Sequence, residues 1–456
     1  MARIFGTDGV RARANGDLLT PELALRLGRA LVTVLVEEGI GRPVVAIGRD
    51  PRWSGPMLEA ALVAGVTSAG GDAVTLGVLP TPGVAHLTAV GDVHAGAVIS
   101  ASHNAVEDNG IKFFGADGFK LTDAEEDRLE ELLHGDGDGN RRTDARRPVG
   151  TGIGRVLEEP AGVGRYVEHL VSAAATDLSG LKVVVDTANG AASQVAPQVY
   201  RHLGADVVAL HATPDGANIN AGCGSTHPEV VRDAVVAHGA DLGVAHDGDA
   251  DRLICAGHDG TEVDGDVILA ILARDAQERG GLTGDAVATT VMTNLGFHQA
   301  MERLGIRVVT TAVGDRYVLE AMRTDGLNLG GEQSGHLIQL DHATTGDGIL
   351  SAVALLGIVR RTGTPLAELG GVMVRLPQVL VNVRDVDRES LMEADAVWLA
   401  VAEVENRLAE RGRVLVRPSG TEPVVRVMVE APTTDEAQQA ADHIASVVAD
   451  AVPLPA

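Results

Sequence analysis

Short apolar runs, mostly β-branched, recur along the chain and alternate with longer stretches whose apolar residues repeat at helical spacing. Runs at 44–47, 97–99, 183–185, 207–210 and 308–310 predict strands, and amphipathic stretches at 59–68, 228–238 and 267–278 predict helices between them. Strands that alternate with helices imply α/β domains with mixed, mainly parallel sheets. Thr122 and Glu125 have the spacing of a capping box and open a helix that runs to about His134. Past residue 370 the pattern changes. Strands at 379–383, 414–416 and 424–429, with helices at 394–410 and 434–450, predict a small α+β domain.

The glycine-rich polar stretch at 135–142 reads as a linker. Further boundaries are expected near 252–262 and 370–374. The expected organisation is therefore three similar α/β domains at 1–150, 151–254 and 255–370, followed by the α+β domain at 371–456. Length agrees, because 456 residues exceed one ordinary core and fit three or four domains. In each of the first three domains an apolar strand empties into a polar loop bearing glycine or asparagine. Open α/β sheets bind ligands outside the carboxyl ends of their strands, so these loops are the places to look for chemistry.

Composition narrows the partners. With 37 basic against 63 acidic residues, a formal charge of −26 and 2% aromatic residues, nucleic acid is excluded. An anionic substrate must be met by local arginines and lysines. Two cysteines, Cys223 and Cys255, make no disulfide framework and point to a reducing compartment. The opening residues lack a signal-peptide core and no apolar run of about 18 residues follows, so a cytoplasmic protein with no membrane partner is expected.

The loop Asp247-Gly-Asp249-Ala-Asp251-Arg252 follows the apolar run 242–245. Three carboxylates held together at a strand end repel one another and resist burial, and a divalent cation removes both costs. Oxygen ligands on small spacers suit Mg²⁺; a solvated acidic turn is the bland alternative. Ile99-Ser-Ala-Ser102-His103-Asn104 offers a serine at a strand end, either as a nucleophile or as part of a polar turn. The glycine-flanked elbow of serine hydrolases is absent. Beside a metal loop, such a serine is suited to carry a phosphoryl group. Lys112, just beyond it, is a candidate acid/base or phosphate partner, or an ordinary strand lysine. Arg417-Pro-Ser419-Gly420-Thr421-Glu-Pro, with Arg426 on the next strand, has the donors of a phosphate cradle. Glu332-Gln333-Ser334-Gly-His336 offers groups that suit sugar hydroxyls. Phe5-Gly-Thr-Asp-Gly-Val-Arg11 is a glycine-spaced turn delivering an arginine, and Gly48-Arg-Asp-Pro-Arg52 delivers either another or a surface salt bridge.

Taken in order, these motifs resemble the α-D-phosphohexomutase superfamily across nearly the whole chain. The opening turn, Gln333, Asn218-Ile-Asn220, Cys223-Gly-Ser-Thr-His227 and Val313-Gly-Asp-Arg316-Tyr317 are similar to the branch of that family acting on 2-amino sugars. The resemblance implies four domains around a central cleft and a small phosphosugar as partner, and leaves the oligomeric state open. It implies a phosphoserine at Ser102, with Mg²⁺ on Asp247, Asp249, Asp251 and the Ser102 phosphate, which Arg252 also holds. Glu332, Gln333 and Ser334 would face the sugar. Arg417, Ser419, Gly420, Thr421 and Arg426 would hold the non-reacting phosphate. Arg11, Lys112 and His336 would lie near the reacting oxygens. The implied reaction interconverts glucosamine 6-phosphate and glucosamine 1-phosphate through glucosamine 1,6-bisphosphate, the alternative being glucose or mannose phosphates. A regulator without turnover and a metal-dependent phosphatase are the rivals from other classes. One departure is Ala105, where the family usually has a proline that stiffens the loop.

Overall fold

The computed structural model describes residues 3–6, 8–134, 147–419 and 424–454. The linker expected at 135–142 lies outside them. The chain forms two compact units: Met1–Val291 with Ile306–Gly371, and Met292–Gly305 with Val372–Ala456.

The first unit contains three mixed sheets. In the first, Ala95–Ile99, Val44–Arg49, Asp72–Val78 and Val156–Glu158 run parallel, Asp108–Gly115 is antiparallel to Ala95–Ile99, and Val10–Arg13 pairs antiparallel with Asp108–Gly115 at the edge. In the second, Leu242–Ala245, Lys182–Asp186 and Asp206–Leu210 are parallel, and Ile254–Gly257 returns antiparallel to Leu242–Ala245. In the third, Arg307–Thr311, Ala286–Thr290 and Leu329–Gly331 are parallel and Leu337–Gln339 returns. Ala95–Ile99, Leu242–Ala245 and Leu329–Gly331 are buried throughout. Strands covered on both faces take small or apolar residues at every position, which is why Ala95–Ile99 and Leu242–Ala245 read as continuous runs rather than alternations.

One feature repeats. In each sheet the candidate loop is the reversal between the last parallel strand and its antiparallel partner. The expected capping box forms: Thr122 N–H donates to Glu125 at 2.7 Å and Glu125 N–H to Thr122 Oγ1 at 3.3 Å, opening the helix Asp123–His134. The opening turn differs from expectation, because residues past Gly9 continue as the edge strand Val10–Arg13, which sets Arg11 opposite Gly110. The first sheet also runs past residue 150. Val156–Glu158 is exposed, and is held by Arg155, whose backbone and guanidinium both donate to buried Asp72.

The second unit has an antiparallel sheet, Gln378–Arg384, Val424–Glu430 and Arg413–Pro418, under helices Asp395–Leu408 and Thr434–Ala451. It takes in helix Leu295–Leu304, part of the third domain by the expected boundaries. The physical reason is buried Glu430, which accepts Leu295 N–H at 2.8 Å, beside Asn294, which donates to Leu376 O at 3.0 Å. Among the described residues no single helix is long and apolar enough to cross a membrane.

Candidate active site

The loop after Ala95–Ile99 presents Ser102 with φ of +52°, a left-handed conformation that a non-glycine residue adopts only when its surroundings hold it there. They do. Arg52, wholly buried, donates to the carbonyls of Ser102 (3.0 Å), Asn104 (2.9 Å), Ala105 and Asp108, and pairs with buried Asp50 at 2.9 Å. Asp50 also accepts from Ser100 Oγ, which in turn accepts Ser102 N–H at 3.0 Å. From the second sheet, Asn220 donates to the carbonyls of Ser102 and Asn104 at 2.8 and 3.0 Å. The surface salt bridge considered for Gly48-Arg-Asp-Pro-Arg52 is thus a buried clamp on the serine loop. A planar guanidinium with several fixed donors does this work where an ammonium cannot. Arg52→Lys is therefore expected to lower kcat by roughly a hundredfold with little change in KM, as befits a displaced nucleophile. Steady-state kinetics decide it, and an unchanged kcat would show that the loop holds without the fork.

The acidic loop meets the serine directly. Ser102 Oγ donates to Asp247 Oδ2, with His103 Nδ1 at 3.3 Å on its other side. Gly248 permits this approach, since a Cβ there would stand 2.4 Å from the Ser102 carbonyl oxygen. Asp247, Asp249 and Asp251 are 1%, 1% and 4% exposed, and their nearest oxygens lie within 4.8 Å of one another. Burial, then the charges of Asp251 and Asp249, push the Asp247 carboxyl up to about 8. Burial also works to raise Asp251, but His336, Lys112 and Arg252 outweigh it and hold that carboxyl well below the usual range. Asp249 Oδ2 is occupied by Thr81 Oγ1 at 2.6 Å and Lys112 Nζ at 3.1 Å. The other oxygens of Asp249 and Asp251 are buried without a hydrogen-bond partner. Buried carboxylate oxygens left open beside one another are what a hard cation would satisfy.

Around this centre lie the remaining polar groups of the unit. Lys112, 2% exposed, contacts Asp249, Asp8 (3.5 Å) and Asp251 (3.7 Å). Arg11 pairs with Asp8, and Lys120 bridges Asp8 and Asp315. The sugar-type loop is stitched to the acidic loop by Leu253 N–H on the Gly335 carbonyl at 3.0 Å and by a bridge between Arg252 and His336. His336 sets Nδ1 3.6 Å from Asp251 and Nε2 3.7 Å from Asp315; burial lowers its pKa, and those carboxylates more than restore it. Glu332 accepts Gly314 N–H at 3.2 Å and is raised by burial, and Ser334 Oγ is buried without a hydrogen-bond partner. Gln333 holds the loop through its carbonyl, which accepts from Gly265 N–H.

Three of the expected loops thus meet in one unit. Asp8, Thr81, Lys120, Asp315, Asn220 and Arg52 join them without having been singled out as site residues. Asp8, Asp315, Asn220 and Arg52 lie in motifs the sequence had marked, whereas nothing signalled Thr81 or Lys120. In the other unit Arg417 and Arg426 face each other across adjacent antiparallel strands, and Ser419 is 3% exposed. Burial, then Arg426, lowers the Arg417 pKa. Like charges directly opposed on a sheet are unfavourable unless an anion lies between them. Gly420 and Thr421 lie outside the described residues.

Comparison with known proteins agrees with this arrangement. Four models described as phosphoglucomutase/phosphomannomutase match in order: alpha/beta/alpha domain I at 2–138, domain II at 164–260, domain III at 264–375 and the C-terminal domain at 380–447. The phosphoglucosamine mutase of Streptomyces griseus is 55% identical over 455 residues, covering 99% of this chain and 100% of that one. The chain belongs to the phosphoglucosamine mutase family. Within the solved structures, a phosphoglucomutase/phosphomannomutase family protein from Burkholderia thailandensis superposes with a TM-score of 0.81 at 25% identity, covering 99% of each chain. The N-acetylphosphoglucosamine mutase of Aspergillus fumigatus, in complex with GlcNAc-6P and magnesium, shares the fold at a TM-score of 0.66 and 18% identity, covering 98% of this chain and 95% of that one. As a phosphoglucosamine mutase family member the chain is an isomerase, and its buried aspartate triad could bind the metal on which the family depends.

Proposed function

We propose that the chain interconverts glucosamine 6-phosphate and glucosamine 1-phosphate, feeding amino-sugar nucleotide and cell-wall synthesis from the cytoplasm. One observation carries the mechanism: the Ser102 hydroxyl sits on Asp247 inside a buried cluster of three carboxylates, two of which have open oxygens. Ser102 carries a phosphoryl group and transfers it to the free hydroxyl of the bound sugar phosphate. The Ser102 O–P bond breaks, a sugar O–P bond forms, and the proton lost by the sugar hydroxyl ends on the Ser102 oxygen, with Arg11, Lys112 and His336 as the cationic donors beside the reacting oxygens. The glucosamine 1,6-bisphosphate turns around in the site, and Ser102 takes back the other phosphate. Asp247, Asp249 and Asp251, together with the Ser102 phosphate, would hold Mg²⁺, which would neutralise charge in this transfer. Arg252 holds the phosphoryl group, and Glu332, Gln333 and Ser334 orient the sugar.

Arg417, Ser419, Gly420, Thr421 and Arg426 hold the non-reacting phosphate, in support of which the two arginines oppose each other on neighbouring strands. Losing one charge-assisted hydrogen bond costs roughly 1.5–3 kcal/mol. Arg417→Ala is accordingly expected to raise KM about 10- to 150-fold and to let bisphosphate leak into solution. An unchanged KM without leakage places the phosphate elsewhere.

The test of the whole reading is a coupled assay of the phosphorylated enzyme on glucosamine, glucose and mannose phosphates. Glu332 can pair with the 2-ammonium group, and a buried carboxylate facing a neutral hydroxyl loses binding energy. The expected result is a higher kcat/KM for glucosamine phosphate, with weak activity on glucose phosphate. Equal or reversed ratios move the chain to the glucose/mannose branch.

A further inference from the structure

A second cluster of ligating side chains lies at the strand ends of the second sheet. In the second sheet, Lys182–Asp186 and Asp206–Leu210 end side by side, with Asp186 in register with Leu210. Asp186 is the last residue of the first strand, His211 follows the second, and Cys223 arrives from a third segment. A carboxylate oxygen, an imidazole nitrogen and the thiol lie within 4.8 Å of one another. Asp186 and Cys223 are wholly buried, while the His211 side chain is 36% exposed and gives an ion a way in.

His211 Nδ1 stands 3.1 Å from Asp186 Oδ2. The nitrogen is buried, yet it makes no hydrogen bond there. The approach is close but too oblique for N–H···O. It suits two ligands of one ion, since tetrahedral zinc with bonds of 2.0–2.2 Å sets neighbouring ligand atoms about 3.3 Å apart. The donors are held in place. Asp186 accepts Ala188 N–H at 2.9 Å and Gly224 N–H at 3.0 Å, which orient the carboxylate and leave it lone pairs for an ion. The His211 carbonyl accepts from Thr187 Oγ1 at 2.6 Å and Asn189 N–H at 2.7 Å, fixing a backbone with φ of +46°.

We propose that Asp186, His211 and Cys223 form a second cation site, selective for a transition-metal ion of the Zn²⁺ type over Mg²⁺. Mixed oxygen, nitrogen and thiolate donors favour borderline ions, whereas Mg²⁺ demands oxygen. Binding releases the thiol proton of Cys223 to solvent and leaves the thiolate on the ion. The ion joins three loops, and the third contains Asn220, whose amide holds the Ser102 carbonyl. The site is separate from the aspartate loop and braces the segment that supports the serine.

The experiment is Co²⁺ titration of the metal-stripped full-length protein in saturating Mg²⁺, followed by absorption. One equivalent is expected to give a near-ultraviolet thiolate-to-cobalt charge-transfer band, which Zn²⁺ displaces and further Mg²⁺ does not. Cys223→Ser removes the band, Asp249→Asn retains it, and His211→Ala weakens Co²⁺ binding by roughly tenfold or more. His211 is partly exposed, so that variant keeps the test decisive should Cys223→Ser fail to fold. Absence of the band in the wild type, or its survival in Cys223→Ser through Cys255, overturns the site.

Discussion

Ser102→Ala is expected to lower turnover by several orders of magnitude while the melting temperature hardly moves. Intact-mass analysis is expected to find phosphate on the wild type and none on the variant. The asymmetry follows from where the interactions are. The loop is held through its backbone, by Arg52 and Asn220 on the carbonyls and Ser100 on the Ser102 amide, and none of these bonds uses the Ser102 hydroxyl. Removing Oγ deletes one donor to Asp247 and leaves the clamp intact. In the proposed reaction the same atom is the phosphoryl carrier, for which no neighbour substitutes. Ser100 is the control. Its hydroxyl sits between Asp50 and the Ser102 amide, so Ser100→Ala should cost stability more than chemistry. Phosphate mapping to Ser100, with Ser102→Ala fully active, would sink the assignment.

Asp249→Asn is expected to reduce activity by roughly 10²–10³-fold, the scale on which a dedicated electrostatic group acts. The metal-free variant should be at least as stable as the metal-free wild type. In the absence of a cation the buried carboxylates repel, which is what lifts Asp247, and Lys112, Arg252 and His336 offset only part of the cost of burying them together. Neutralising one of them relieves the repulsion and forfeits the ion. Loss of function with retained or raised melting temperature is the signature of a residue kept for chemistry. In the wild type, chelator should abolish turnover, and Mg²⁺ should restore it and raise the melting temperature. Full turnover in chelator would end the metal reading.

The parts legible in the sequence were those whose physics is local. Strands buried on both faces show as apolar runs, and aspartates clustered at a strand end make no sense as packing, so the reversals of all three sheets stood out. What escaped was set by distant partners. Arg52 reads like any loop arginine because its partners are backbone carbonyls, which every sequence supplies. Val10–Arg13 is masked by Gly6 and Gly9 just before it, which make the opening read as a turn, and only pairing with Asp108–Gly115 makes it a strand. Leu295–Leu304 follows an ordinary α/β pattern, and its allegiance to the second unit depends on Glu430, far along the chain. Lys120 and Asp315 meet at Asp8 only once the first and third sheets are folded.

The exposed strand Val156–Glu158 bears on how separable the modules are. It closes the far edge of the first sheet from beyond the segment where the chain would naturally be divided. A gene fragment ending at residue 150 encodes the serine loop and its clamp, yet it strips the cover from Asp72–Val78 and removes Arg155 from Asp72. An uncovered edge strand recruits whatever extended chain it meets, often another copy of itself. The first module is therefore not autonomous at its obvious seam. Recombination between relatives at that seam would close Asp72–Val78 of one parent with the edge strand of the other and exchange the Arg155 that pairs with Asp72. Crossovers placed after residue 158 carry the strand along and keep the sheet closed.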